Sequence, residues 1–448
     1  MRFFHSAYTA AMLRKFLLFL LVLGVPLSAQ PRVVLLHFSD YHSHALPFYT
    51  DEGERGGIAR AAGYLQSEKK RGALVFSGGD TINRGAPAWS DKYGCAEWPW
   101  FNGIVDAMAF GNHDADYGRE AFEACRKSIR YPILSANTPG FDRYRVFVSR
   151  GKRIGVFALA GSDFPKLVKT PGFEFRDPIA AAREVVRDLR EKEHVDAVVM
   201  IGHEHAENDY ELARSVPGIN LIFGSHSHIK RELTRIPDTS TWYISPSQYL
   251  TFISRIELTF LKDGLRIQGE LIPVDSTLQE DPVIARRVAA MQKELAADPQ
   301  YRDLFVPIGT LDEALSTAAV AQQTLAAMRA VTSSDVALST TSSFRQPLPS
   351  GPLTMESVLG SLPYENEIVT CTMTGAQLQR VLGFNATRKG TDSEAYVNGP
   401  ASIDPASSYR MATTDYLAFV AWKEAFDCDK TRTGLKVREE LVKVLRRN

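Results

Sequence analysis

Cysteine is scarce in this chain. There are four in 448 residues, none with the spacing of a metal-site pair, which excludes a closed thiolate zinc site. An excess of one charge is absent too: Lys+Arg and Asp+Glu each total 52, so nothing in the composition favours a nucleic-acid polymer as partner. No internal repeat or low-complexity stretch occurs. Apolar content of 44% with 23% charged residues is ordinary globular usage and rules out disordered and fibrous classes. The length allows two domains, each with its own core. Long apolar runs are also lacking, apart from FLLFLLVLGVPL after Arg14-Lys15. That run is short for a membrane span, and Leu27-Ser28-Ala29 resembles a small-residue cleavage site. Residues 1–29 are therefore expected to be a signal peptide, with Met12 as a second possible start. The mature protein is expected to be exported to the periplasm or cell envelope, with no stable membrane insertion. Export would place the cysteines in an oxidising compartment. One disulfide in each half, Cys95–Cys125 and Cys371–Cys428, is the simplest of three pairings; four buried free thiols are the alternative.

What is present is a set of five polar clusters: Asp40-Tyr-His42, Gly78-Gly-Asp80, Gly111-Asn112-His113-Asp114, Gly202-His203 and Gly224-Ser-His226-Ser-His228. Each follows an apolar run that reads as a buried strand: VVLLHFS, ALVFS, DAMAF, AVVMI and NLIF. Ligands at strand ends converge on one edge of a sheet, where open α/β folds keep their sites. Carboxylate, amide and imidazole donors suit borderline divalent ions such as manganese, zinc, cobalt or iron.

The types and spacing suggest a chemistry. Two ions side by side need a bridging ligand, and Asp80 behind two glycines suits that role. Asp40, His42, Asn112, His203, His226 and His228 are the matching terminal donors. Water between two such ions becomes a strong nucleophile for in-line attack on phosphorus. His113 and Asp116, three residues apart, make an imidazole oriented by a carboxylate, which suits protonation of a leaving alkoxide. His37 and His194 read as structural, while His44 and His205 could line the site.

Residues 31–275 alternate strand-like runs with amphipathic stretches, with helices expected at 57–70, 118–129, 178–192 and 208–215. Segments 254–260 and 265–274 alternate as half-exposed strands do. The expected fold is α/β (α+β): a mixed sheet or two packed mixed sheets with helices outside. Asp281-Pro282 is a helix start, and Ile284, Val288, Met291 and Leu295 recur at helical spacing. The layout expected is a catalytic domain at 30–280, a linker helix within 281–304 and a second α/β domain at 305–448.

The clusters resemble the calcineurin-like metallophosphoesterase superfamily and, within it, the bacterial 5′-nucleotidase/UDP-sugar hydrolase family. LLHFSDYHSH, FSGGDTINRG, DAMAFGNHDADYG, PILSAN and GSHSH carry the likeness in order. The resemblance implies an exported hydrolase of small phosphoesters, nucleotides first among them, with two divalent metal ions. Asp40, His42, Asp80 and His228 would hold one metal, and Asp80, Asn112, His203 and His226 the other. His113, Asp116 and Asn112 would form the catalytic group. Residues 333–382 resemble the family's substrate-binding domain, with Arg345 at its substrate-contacting arginine. Departures occur there. Thr340-Thr-Ser-Ser-Phe344 replaces an Asn-Gly-Gly run, and Phe419-Val-Ala-Trp422-Lys-Glu-Ala-Phe426 replaces a Gly-Gly-Asp-Gly-aromatic stretch. Phe384, Phe419 or Trp422 would either rebuild the aromatic sandwich for a nucleobase or serve as ordinary core and surface aromatics. The alternatives are a non-catalytic metal-containing envelope binding protein, or a related hydrolase of non-nucleotide phosphoesters or sulfur esters.

Overall fold

A computed structural model describes residues 30–85, 87–391 and 393–446. The signal-peptide expectation falls on residues outside that description. Among the described residues no helix is long and apolar enough to cross a membrane.

Two six-stranded sheets form the first part of the chain. In the first, the order is Gly264–Pro273, Phe252–Leu261, Arg32–Phe38, Leu74–Ser77, Ala107–Ala109 and Ile133–Leu134. In the second it is Lys230–Arg235, Trp242–Pro246, Leu221–Phe223, Ala197–His203, Lys152–Ala160 and Tyr144–Ser149. Parallel pairing runs from Arg32–Phe38 to Ile133–Leu134 in one sheet and from Trp242–Pro246 to Lys152–Ala160 in the other, with antiparallel strands outside. All five expected strand runs are strands.

Side-chain alternation explains why those runs are apolar throughout. Val33 and Leu35 face a core shared with Ile154, Val156, Val199, Ile201 and Phe223 of the other sheet. Leu36 and Phe38 face the opposite way, onto the helix Ile58–Lys70. On the far side, Pro178–Arg187 and Ala206–Ser215 cover the second sheet through Ala182, Val185, Leu212 and Ala213. The result is a helix–sheet–sheet–helix stack.

Helix Pro282–Ala297 begins where its cap predicts: the Asp281 side chain accepts from the N–H groups of Val283 and Ile284. Such a cap typically contributes about 1 kcal/mol. Ile284, Val288 and Leu295 pack onto the first part's core, so this helix is docked along its length. Beyond it, a five-stranded sheet has the order Ala395–Asn398, Val336–Thr340, Ser408–Thr414, Glu367–Thr374, Thr431–Lys436. Helices Thr317–Thr332, Gly375–Thr387 and Val437–Leu445 accompany it. Disulfides join Cys95 to Cys125 and Cys371 to Cys428, the one-per-half pairing.

Candidate metal centre

The five clusters lie at the carboxyl ends of parallel strands, and the close approach of the two sheets there brings them together. Three of the turns touch through backbone. Asp40 N–H bonds to the Gly79 carbonyl at 3.1 Å, and His42 N–H to that of Asp80 at 3.0 Å. A Cβ on Gly111 would lie 2.2 Å from the Asp80 nitrogen, and Gly79 has φ +90°. Contact requires glycine at both positions, and backbone conformation requires it at Gly79 as well. Asp114 then ties two turns together, accepting from Gly111 N–H at 2.9 Å, Thr81 N–H at 2.8 Å, Thr81 O–H at 2.7 Å and Asp80 N–H at 3.2 Å.

Two groups of donors result. Asp40, His42 and His228 have ligand atoms within 4.8 Å of one another, and so do Asp80, His203 and His226. Asn112 joins the second group, its Oδ1 3.2 Å from His203 Nε2, and Asp80 Oδ2 lies 3.1 Å from that same nitrogen. Asp40 Oδ1 is 3.2 Å from His228 Nε2. All seven expected ligands are therefore together. The backbone supports the impression of a built site: Asp40, His42, Asp80, His226 and His228 all have φ between 48° and 60°. Such a conformation is uncommon outside glycine and costly to maintain.

The electrostatics fit a cation. Asp40 and Asp80 are buried, and imidazoles are the groups that can carry positive charge beside them. His42 and His228 point Nε2 at Nε2 across 3.1 Å, an arrangement that suits two lone pairs aimed at one ion. Burial holds the His42 imidazole neutral, pushing it down to about 3. Burial also opposes charge on His203, but the Asp80 carboxylate beside it overrides this and raises it to about 10. The cluster thus demands positive charge, and divalent ions match its hard and borderline donors.

His113 lies on the rim. Its Nδ1 is 2.7 Å from Asp116 Oδ2 across a single 3₁₀ turn, and its N–H donates to Asp80 Oδ1 at 2.8 Å. Burial disfavours its charge, yet Asp80 and Asp116 raise it to about 9. Arg345 arrives from the segment after strand Val336–Thr340 of the five-stranded sheet. Its guanidinium donates to Gln248 Oε1 at 2.8 Å and to the Tyr364 hydroxyl. A cavity of 290 Å³ spans the two parts, lined by Asp80, Asn112, His113, Asp116, His226 and His228 on one side and Thr340, Ser343, Arg345, Tyr364, Asn366 and Tyr416 on the other.

This geometry has counterparts. Residues 33–230 match the model of the calcineurin-like phosphoesterases, and residues 309–402 that of the 5′-nucleotidase C-terminal domain. The chain joins a calcineurin-like phosphoesterase domain to a 5′-nucleotidase C-terminal domain. It is 26% identical to the protein UshA of Yersinia enterocolitica over 86% of this chain and 85% of that one. Among solved structures, the 5′-nucleotidase precursor of Thermus thermophilus superposes with a TM-score of 0.71 at 21% identity, covering 93% of this chain and 96% of its own. The sulfate thiohydrolase SoxB from Thermus thermophilus gives 0.72 at 21%, covering 94% and 95%. Together these matches mark the chain as a metal-dependent phosphoester hydrolase.

The remaining expectations divide. Phe384 and Trp422 pack edge to face in the second core, with the indole N–H on the Ser393 carbonyl at 3.1 Å. Phe419 lies under Arg432, 4.9 Å from its ring centre, at the surface. These three aromatics are core and surface residues, and the cavity's second wall carries Tyr364 and Tyr416 instead. His37 is buried and stacks on Phe223, whereas His194 is exposed. His44 stacks on Tyr249 at 3.5 Å. Sequence reasoning missed Asp163, whose Oδ2 meets both His205 and His226. Its one sequence signal is position: it follows the end of a buried strand.

Proposed function

We propose that this chain is an exported two-metal hydrolase that releases phosphate from small phosphomonoesters, nucleotides foremost. The observation that carries this is the seven-donor cluster with His113–Asp116 on its rim and Arg345 across one cavity. Asp40, His42, Asp80 and His228 would hold one ion, and Asp80, Asn112, His203 and His226 the other. When bound, the ions would supply Lewis-acid neutralisation of phosphoryl charge and a nucleophilic water at neutral pH.

The chain's own groups do the rest. Asp116 accepts from His113 Nδ1–H and, with Asp80, favours the imidazolium, whose remaining Nε2–H is the proton offered to the departing alkoxide oxygen. Asn112 presents an amide beside His113 at the same turn. Arg345, kept in place by Gln248 and Tyr364, offers donors to phosphate or other anionic oxygens. The hydroxyls of Thr340, Ser342, Ser343 and Tyr364 and the Asn366 amide line the wall that meets the substrate's organic part, and they suit a ribose or another polyol.

The test is phosphate release by metal-stripped protein resupplied with manganese, zinc or cobalt. Substrates would be AMP, UDP-glucose, 2′,3′-cyclic AMP and an aryl phosphate. AMP turnover that requires metal and falls in His113→Ala is expected. Metal uptake without turnover of any ester would overturn the hydrolase reading.

A further inference from the structure

One carboxylate outside the expected ligand set touches the metal centre. Asp163 follows strand Lys152–Ala160 in the turn Gly161-Ser-Asp-Phe164. Its Oδ2 lies 3.1 Å from His226 Nε2 and 3.0 Å from His205 Nε2. The two imidazole rings are 4.4 Å apart. Asp163, His205 and His226 thereby form a third cluster whose donor atoms fall within 4.8 Å of one another, sharing His226 with the second ion's ligands.

The turn is built to deliver this carboxylate. Phe164, fully buried, wedges against His203 and His226 with ring centres at 5.7 and 6.2 Å. A Cβ on Gly161 would lie 2.9 Å from the His203 carbonyl, so only glycine lets the turn approach that strand end. Asp163 also occupies the N-cap position of the short helix Phe164–Leu167 but makes no capping bond. An aspartate at an N-cap usually spends an oxygen on the helix; here Oδ2 reaches for the two imidazoles instead.

A carboxylate can only accept. Each contact is therefore favourable with hydrogen on Nε2, and a neutral imidazole protonated at Nε2 has its lone pair on Nδ1. We propose that Asp163 is a positioning residue for the metal centre: it accepts the Nε2–H of His226, fixing that ring's tautomer and rotation so that Nδ1 is the atom presented beside Asp80 and His203. His205 shares the same oxygen and closes the cavity wall at this point. Carboxylate–imidazole–metal relays of this kind raise ligand basicity, and losing the carboxylate commonly costs 10–100-fold in metal affinity.

The inference rests on the two-metal reading, and the test separates them. Full-length mature protein is stripped of metal and titrated with zinc, for wild type, Asp163→Ala and Asp163→Asn. Metal bound per chain is counted by elemental analysis. With ¹⁵N-histidine labelling, NMR of the zinc form identifies which His226 nitrogen carries hydrogen. The expectation is two equivalents in wild type and protonated Nε2 on His226. In Asp163→Ala one of the two sites should weaken 10–100-fold while the other is unchanged, and Asp163→Asn, which keeps an accepting oxygen, should recover part of the loss. If Asp163→Ala does not fold, Asp163→Asn with the wild-type tautomer spectrum carries the same test. Unchanged affinities at both sites, or zinc on His226 Nε2, would overturn the proposal. So would a third equivalent lost on substitution, which would make the cluster an ion site of its own. A wild-type chain that takes up no metal would instead sink the two-metal reading.

Discussion

Removing the Asp114 carboxylate should loosen the metal centre before any ligand is touched. Asp114 is buried and serves four donors on the two turns that carry Asp80 and Asn112. In Asp114→Ala the backbone N–H groups of Asp80, Thr81 and Gly111 lose that acceptor in a place where water enters poorly. Each such orphan costs about 1–3 kcal/mol. The sum is reduced because the carboxylate is itself under strain: burial and the adjacent Asp80 charge push it up to about 7. A net loss of roughly 3–5 kcal/mol is expected on those terms. Asp114→Asn keeps the shape and one accepting oxygen, so it should lose about half as much. Urea unfolding of the metal-free protein at pH 7.5 measures both, and metal titration should show weaker binding in the same order. Should Asp114→Ala unfold within about 1 kcal/mol of wild type at unchanged m-value, the turns would be held by something other than these four bonds.

Three further outcomes follow from the geometry. His113→Ala should keep its metals and lose about 10²–10⁴ in kcat on phosphomonoesters, with Asp116→Asn losing less; steady-state kinetics beside metal analysis checks this. Glu97 is buried, and burial raises it to about 7 despite hydrogen bonds from Tyr41 and Trp89. The folded state then binds more protons than the unfolded between about pH 4.5 and 7, so this group's contribution falls as pH rises through that window, by at most about 3 kcal/mol. Glu97→Gln should therefore gain stability relative to wild type between pH 5 and 8, and parallel melting curves would contradict this. The disulfides close segments of 30 and 57 residues, which in the loop-entropy picture corresponds to roughly 3.5 and 4 kcal/mol. Reduction should lower Tm in steps that Cys95→Ala/Cys125→Ala and Cys371→Ala/Cys428→Ala variants reproduce singly.

Much of the centre was legible because its signal is local. A buried parallel strand must be apolar on both faces, and the polar turn that ends it must then carry whatever chemistry the sheet edge presents. Asp40, Asp80, Asn112, His203 and the His226–His228 pair each stand at such a break, within a few residues of the run that identifies them. The helix from Pro282 was legible for the same reason, since Asp281 caps it and its apolar period lies within a single segment. Asp163 was not. It also follows a strand, but with no second ligand nearby in sequence, and its neighbours His205 and His226 are 42 and 63 residues away. The fate of Phe384 and Trp422 was equally closed to inspection, because a core aromatic and a binding aromatic look alike until the packing is known.

The order of apolar runs and ligand-bearing turns thus determined which residues were available for metal chemistry and on which ends of which strands they stand. Sheet order and the docking of the two parts decided which of them meet. His42 and His228 are 186 residues apart yet 3.1 Å from each other, because two separate sheets pack face to face with their carboxyl edges aligned. Arg345 reaches the cavity because contacts such as Arg345–Gln248 and Ala88 N–H to Glu356 seat the second part over the first. Such pairings depend on packing across sheets and between domains, a long-range property that no short window of residues contains.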